Sequence, residues 1–125
     1  MDENEISYKI RGAIFTIYNK LGPGLLESVY VTALEYELLK VGLRVKREVP
    51  VPVFYEDIKM EVGFRLDLLV EEKVIIEVKS DENLAEVHHK QVLTYLKLTE
   101  KKLAILVNFN VENINSGIFR KVNGL

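Results

Sequence analysis

The chain has 125 residues, a formal net charge of −2 and an isoelectric point near 5.8. A single domain over residues 1–125 is long enough to bury roughly two thirds of the surface its unfolded chain would expose, and the near balance of charge excludes a generic, charge-driven nucleic-acid binder, so any such contact has to be local. The absence of cysteine removes disulfides and thiolate metal sites; with no apolar signal core in "MDENEISYK" and no run approaching the roughly 20 apolar residues of a membrane span, the expectation is a cytoplasmic protein that does not enter the membrane.

Ile6, Ile10, Ala13, Ile14, Ile17 and Leu21 recur at spacings of three and four, which predicts an amphipathic helix ended by "LGPG" at 21–24. A second helix is expected over residues 25–42, "LLESVYVTALEYELLKVG", with Gly42 as its stop. Glu27 falls in its first turn, where the helix dipole favours a carboxylate in any protein, and sits beside Tyr30 at the margin of the apolar face. Three strand signals follow at 43–55, 58–70 and 73–80, separated by "ED" and "EEK", breaks short enough to make antiparallel neighbours. Pro50 and Pro52 each delete a ladder donor, so the first strand should be an edge or be bulged there. A third helix over about 82–98 leads to "KLAILVNFN" (102–110), whose continuous apolar run suits the sheet interior, and "GIFRKVN" (117–123) can add a short last strand. The fold class expected is α/β (α+β): a central mixed sheet flanked by helices, in the order ααβββαβ.

Within "VIIEVKS", four β-branched aliphatics surround Glu77, and Lys79 follows it. Alternation puts Val74, Ile76 and Val78 on one face and Ile75, Glu77 and Lys79 on the other; in "GFRLDLLV" it groups Phe64, Leu66, Leu68 and Val70 against Arg65, Asp67 and Leu69. If "EEK" is a three-residue loop, Val70 pairs with Val74 and Asp67 lies across from Glu77, with Cβ atoms about 5 Å apart. A two-residue loop would send the carboxylates to opposite faces. Facing carboxylates repel unless a cation lies between them, and oxygen ligands suit Mg²⁺ or Mn²⁺. Lys79 could then steady a water or the charge developing on a phosphate. The plainer alternative is a solvated face with ordinary ion pairs.

On the third helix Leu84, Val87, Val92, Tyr95, Leu96 and Leu98 define an apolar stripe that also contains His88 and Gln91. A buried Gln needs partners; Gln91 and Tyr95, one turn apart in "QVLTY", could reach a ligand, or could be satisfied by backbone and core. His88 reads as a packed or partly exposed side chain outside the site. Lys90, Lys97 and Lys101 form a solvated face or a modest phosphate-contacting strip. No glycine-rich phosphate loop is present, and no Ser or Cys is placed as a nucleophile.

Taken together, an upstream helix Glu, "GFRLD" ending in Asp67, "EVK" at 77–79 and "QVLTY" on the next helix resemble the PD-(D/E)XK nuclease superfamily. The Gln-x-x-x-Tyr element is similar to that of the recombination-exonuclease branch, and "GLLESVY" (24–30) resembles the motif of the small GxxExxY proteins placed in that superfamily; the likeness runs from about residue 6 to 122. It implies a restriction-endonuclease-like core in which Asp67, Glu77 and the Val78 carbonyl bind Mg²⁺ or Mn²⁺ and Lys79 is the catalytic lysine. Glu27 would be a further ligand or a water-positioning residue, and Gln91 and Tyr95 would orient substrate or lysine. Leu66 stands where the name-giving motif has proline. The implied activity is metal-dependent phosphodiester hydrolysis of DNA or RNA, with DNA the favoured nucleic-acid partner. The alternative is a non-catalytic nucleic-acid- or protein-binding module, with a homo-oligomer or partner subunit supplying grip through the apolar edge at 49–54.

Overall fold

The computed structural model describes residues 1–60 and 63–125. Helix α1 (Glu3–Leu21) starts at a capping box, in which the Asp2 carboxylate accepts from the Glu5 amide at 2.8 Å and the Glu5 carboxylate accepts from the Asp2 amide. Its isoleucines, Ile6, Ile10, Ile14 and Ile17, are the buried stripe that the spacing predicts. Helix α2 (Glu27–Lys40) buries Tyr30, Val31, Leu34 and Leu38.

The main sheet has the order β1-β4-β5-β6-β7, formed by β1 (Val45–Val51), β4 (Phe64–Val70), β5 (Val74–Lys79), β6 (Leu103–Asn108) and β7 (Ile118–Val122). β5 and β6 are parallel and joined through α3 (Glu86–Thr99), while every other pairing is antiparallel, so the sheet is mixed. Helices α1 and α2 cover one face with Leu68, Val70, Ile76, Val78, Ile105 and Val107 beneath them. Helix α3 covers the other, where Leu66, Leu69, Ile75 and Leu106 meet Val92 and Leu96. β6 lies between β5 and β7 and is buried at every position, which is why its sequence shows no polar alternation.

The strands expected at 43–55 and 58–70 are each interrupted. β1 stops at Val51, and β2 (Phe54–Tyr55) pairs with β3 (Ile58–Lys59) in a separate two-stranded hairpin; Glu61 and Val62 of the second expected strand lie outside the described residues. β1 is indeed an edge, but its irregularity sits at Glu48 rather than at the prolines. Glu48 has a left-handed backbone (φ 52°), and the ladder skips the Glu48–Asp67 pair between Arg47↔Leu68 and Val49↔Leu66. That kink reverses which side each half of the strand pair faces. Val45, Leu68 and Val70 pack under α1 and α2, whereas Val49, Val51, Phe64 and Leu66 pack on the α3 side. The expected grouping of Phe64 and Leu66 with Leu68 and Val70 is thereby corrected: strict alternation fails at a left-handed residue.

Candidate active site

The loop joining β4 to β5 decides the site. Glu71 and Glu72 both take left-handed backbone angles, and Val70↔Val74, Leu69↔Ile75 and Leu68↔Ile76 pair across a three-residue turn. One further step of that count sets Asp67 against Glu77. Here side chains replace the backbone ladder: the Asp67 amide donates to Glu77 Oε1 at 3.2 Å, and the Val78 amide donates to Asp67 Oδ2 at 2.8 Å. Each carboxylate is therefore held by the strand of the other.

Glu77 is only 7% exposed. Burial, and then the negative charge of Asp67, push its carboxyl from 4.5 up to about 8, with Lys79 opposing weakly. The Tyr95 phenol is pushed up by burial and then by the charges of Glu77 and Asp67. That ring stacks on Phe64, with centroids 4.1 Å apart.

A second cluster holds the end of β5 from the other side. The Ser80 amide donates to Glu27 Oε2 at 3.4 Å, and Ser80 Oγ donates to the Leu25 carbonyl at 2.6 Å. Tyr30 Oη donates to the Gly22 carbonyl at 2.6 Å and accepts from the Leu25 amide at 3.2 Å, closing the turn that precedes α2. Gly24 in that turn has φ 96°, a conformation side chains rarely tolerate. The Tyr30 ring stacks on Phe109 at 4.1 Å, and the Phe109 amide donates to the Lys79 carbonyl at 3.0 Å. The "GLLESVY" stretch is thus a clasp around the residues that follow Glu77.

A family model of the PD-(D/E)XK nuclease superfamily matches residues 4–121. The chain belongs to that superfamily. No curated protein and no solved structure matches it. PD-(D/E)XK nucleases generally use divalent metals such as Mg²⁺ and act on nucleic acid; among the described residues no helix is long and apolar enough to cross a membrane.

The donor set around Asp67 and Glu77 fits the metal that PD-(D/E)XK nucleases generally use. Mg²⁺ needs one or two carboxylates and keeps several waters, and a buried carboxyl pushed toward the neutral form by a facing carboxylate is relieved by a cation. Among the described residues no group of three or more His, Asp or Glu side chains is gathered at such distances, so Glu27 is not collected with the pair; its carboxylate is spent on the Ser80 amide.

The structure brings Asp67 and Glu77 together; Lys79 follows Glu77 by two residues on β5, Tyr95 stacks on Phe64 of β4, and Glu27 meets Ser80, the residue after β5. Gln91 is not the buried residue the helical stripe predicts. It is exposed, as are Val87 and Leu98, because α3 touches the sheet along a narrower line and fully buries only Val92 and Leu96. His88 accepts from the Ala85 amide at 3.3 Å, and its Nδ1 lies 3.9 Å from Asp81 Oδ2.

Asn108 escapes the sequence reading. Only 3% exposed, it lies opposite Lys79 in the parallel register, accepts from the Asp81 and Asn110 amides at 3.0 and 3.2 Å, and donates to the Asp81 carbonyl at 2.9 Å. It fixes the chain leaving Lys79. Its signal was there to find: a single amide ending the apolar run "LAILVN".

Proposed function

We propose that the protein is a metal-dependent nuclease that hydrolyses phosphodiester bonds, with Asp67, Glu77 and the Val78 carbonyl as ligands of Mg²⁺ or Mn²⁺. The single observation that carries this reading is the facing carboxylate pair, buried Glu77 and half-buried Asp67, each tethered to the other's strand, with Lys79 two residues further along β5. When bound, the cation would polarise the scissile phosphate and acidify a water. The chain's own residues do the rest. Asp67 and Glu77 hold fixed positions because each accepts a backbone amide. The Lys79 ammonium, on the same face as Glu77, is placed to stabilise charge developing on phosphate oxygens. Tyr95, steadied by its stack on Phe64, orients substrate or lysine, and Glu27 acts as a water-positioning residue rather than a direct ligand. Gly24, Glu27 and Tyr30 support a place among the GxxExxY proteins, since all three act in one clasp.

The test begins without a substrate. Mn²⁺ and Mg²⁺ are titrated into the wild type and into Asp67→Asn/Glu77→Gln by calorimetry, with the melting temperature followed in parallel, since binding to the folded state must raise stability. Binding by the wild type alone, followed by DNA cleavage that Lys79→Ala abolishes without loss of metal binding, is the expected result. Equal binding by both proteins, or cleavage untouched by Lys79→Ala, sinks the assignment.

A further inference from the structure

Beside the Phe64–Tyr95 stack lies a cleft that the proposed chemistry leaves unused. The ends of β1 and β4 approach so closely that a Cβ on Gly63 would lie 2.3 Å from the Val51 carbonyl oxygen, so glycine is required there and the chain beyond Val51 turns away from the sheet. A cleft of about 460 Å³ opens at this divergence, within the size range of small-molecule sites. Pro50, Pro52, Met60 and Phe64 provide apolar walls, and among the described lining residues the charged groups are Lys59 and Arg65, both cationic. The β2–β3 hairpin adjoining it carries Phe54, Tyr55 and Ile58, which are 60%, 61% and 65% exposed.

We propose that this cleft and hairpin bind an unpaired stretch of nucleic acid and lead a single strand toward the Asp67–Glu77 pair, an inference that rests on the nuclease reading above. Three observations converge on that ligand. An apolar slot next to a hairpin that exposes aromatic rings suits bases that are free to stack, and bases inside a duplex are not. Lys59 and Arg65, the charged groups among the described lining residues, suit the flanking phosphates, which a protein-binding apolar patch would not need. The path leads along β4 toward the site: Arg65 precedes Asp67 by two residues, about 7 Å along the strand, and Phe64, a wall of the cleft, stacks on Tyr95 of α3.

Fluorescence anisotropy decides it, with a labelled single-stranded oligodeoxynucleotide about 20 long and the same sequence as a duplex, in EDTA so that nothing is cut. The wild type should prefer the single strand. Phe54→Ala/Tyr55→Ala should weaken that binding about 5- to 30-fold while leaving duplex binding unchanged. Lys59→Ala/Arg65→Ala should weaken it and reduce the slope of log affinity against log salt by about 0.7 for each phosphate that the variant no longer neutralises. All four side chains are exposed or line an open cleft, and unchanged melting temperatures establish that the variants fold. Wild-type affinity in both variants, or a preference for duplex, overturns the proposal; so does a loss of self-association in Phe54→Ala/Tyr55→Ala with nucleic-acid binding intact, which would make the hairpin a protein contact. None of these outcomes touches the metal titration or the Lys79→Ala cleavage test, so the two readings fail separately.

Discussion

Replacing Glu77 with glutamine should stabilise the metal-free protein, and by more as the pH rises. In the folded chain the Glu77 carboxyl is held up to about 8, against 4.5 for an ordinary glutamate. Between those values the folded state keeps a proton that the unfolded state has released. Stability therefore falls as pH rises through this window, by about 1.4 kcal/mol per pH unit. The cost is under about 1 kcal/mol at pH 5 and reaches about 4 kcal/mol at pH 8, a large part of the 5–15 kcal/mol that holds a typical domain together. Glutamine has no proton to lose, and its carbonyl oxygen can still accept from the Asp67 amide. Urea unfolding of both proteins in EDTA at pH 5, 6, 7 and 8 measures the effect, and the titrations of groups that do not interact with Glu77 cancel in the difference. A gap between variant and wild type that is the same at pH 5 as at pH 8 would refute the reasoning, because it would mean that Glu77 ionises in the fold as it does in the unfolded chain.

Asn108→Ala should cost about 1–2 kcal/mol, because it removes the partner of the half-buried Asp81 and Asn110 amides and of the Asp81 carbonyl; urea midpoints read the loss, and Mn²⁺ affinity should fall with it as the segment after Lys79 loosens. Tyr30→Phe keeps the ring stacked on Phe109 but removes the hydroxyl that joins the Gly22 carbonyl to the Leu25 amide. Its expected cost is about 1–2 kcal/mol, with hydrogen exchange at Leu25 accelerated; unchanged protection there would show that the clasp does not depend on the hydroxyl.

Much of the site was legible because it is local. The distance along the chain from Asp67 to Glu77 is bridged by one tight turn, so counting back from Val70↔Val74 is enough to set the two carboxylates opposite each other, provided the loop length is right. The capped isoleucine stripe of α1 was legible for the same reason: its cap and its period are contained in its own residues. Gln91 was misread because a helical wheel ranks faces without saying how wide a strip the neighbouring sheet will cover. The division of Phe64 and Leu66 from Leu68 and Val70 was equally invisible, since one left-handed residue, Glu48, on the partner strand marks the break.

The sequence by itself determined the helices and, for a three-residue turn, the placing of Asp67 across from Glu77, consequences of periodicity and short loops acting between near neighbours; the structure decided that turn length and the edge position of the proline-bearing strand. Only the tertiary structure decided what Glu27, Tyr30 and Asn108 do. Ser80 lies 53 residues from Glu27, and Asp81 lies 27 from Asn108; no local pattern spans such separations. Those contacts arise because burying both faces of the sheet brings the turn before α2 and the end of β6 against the same chain segment, the one that leaves Lys79.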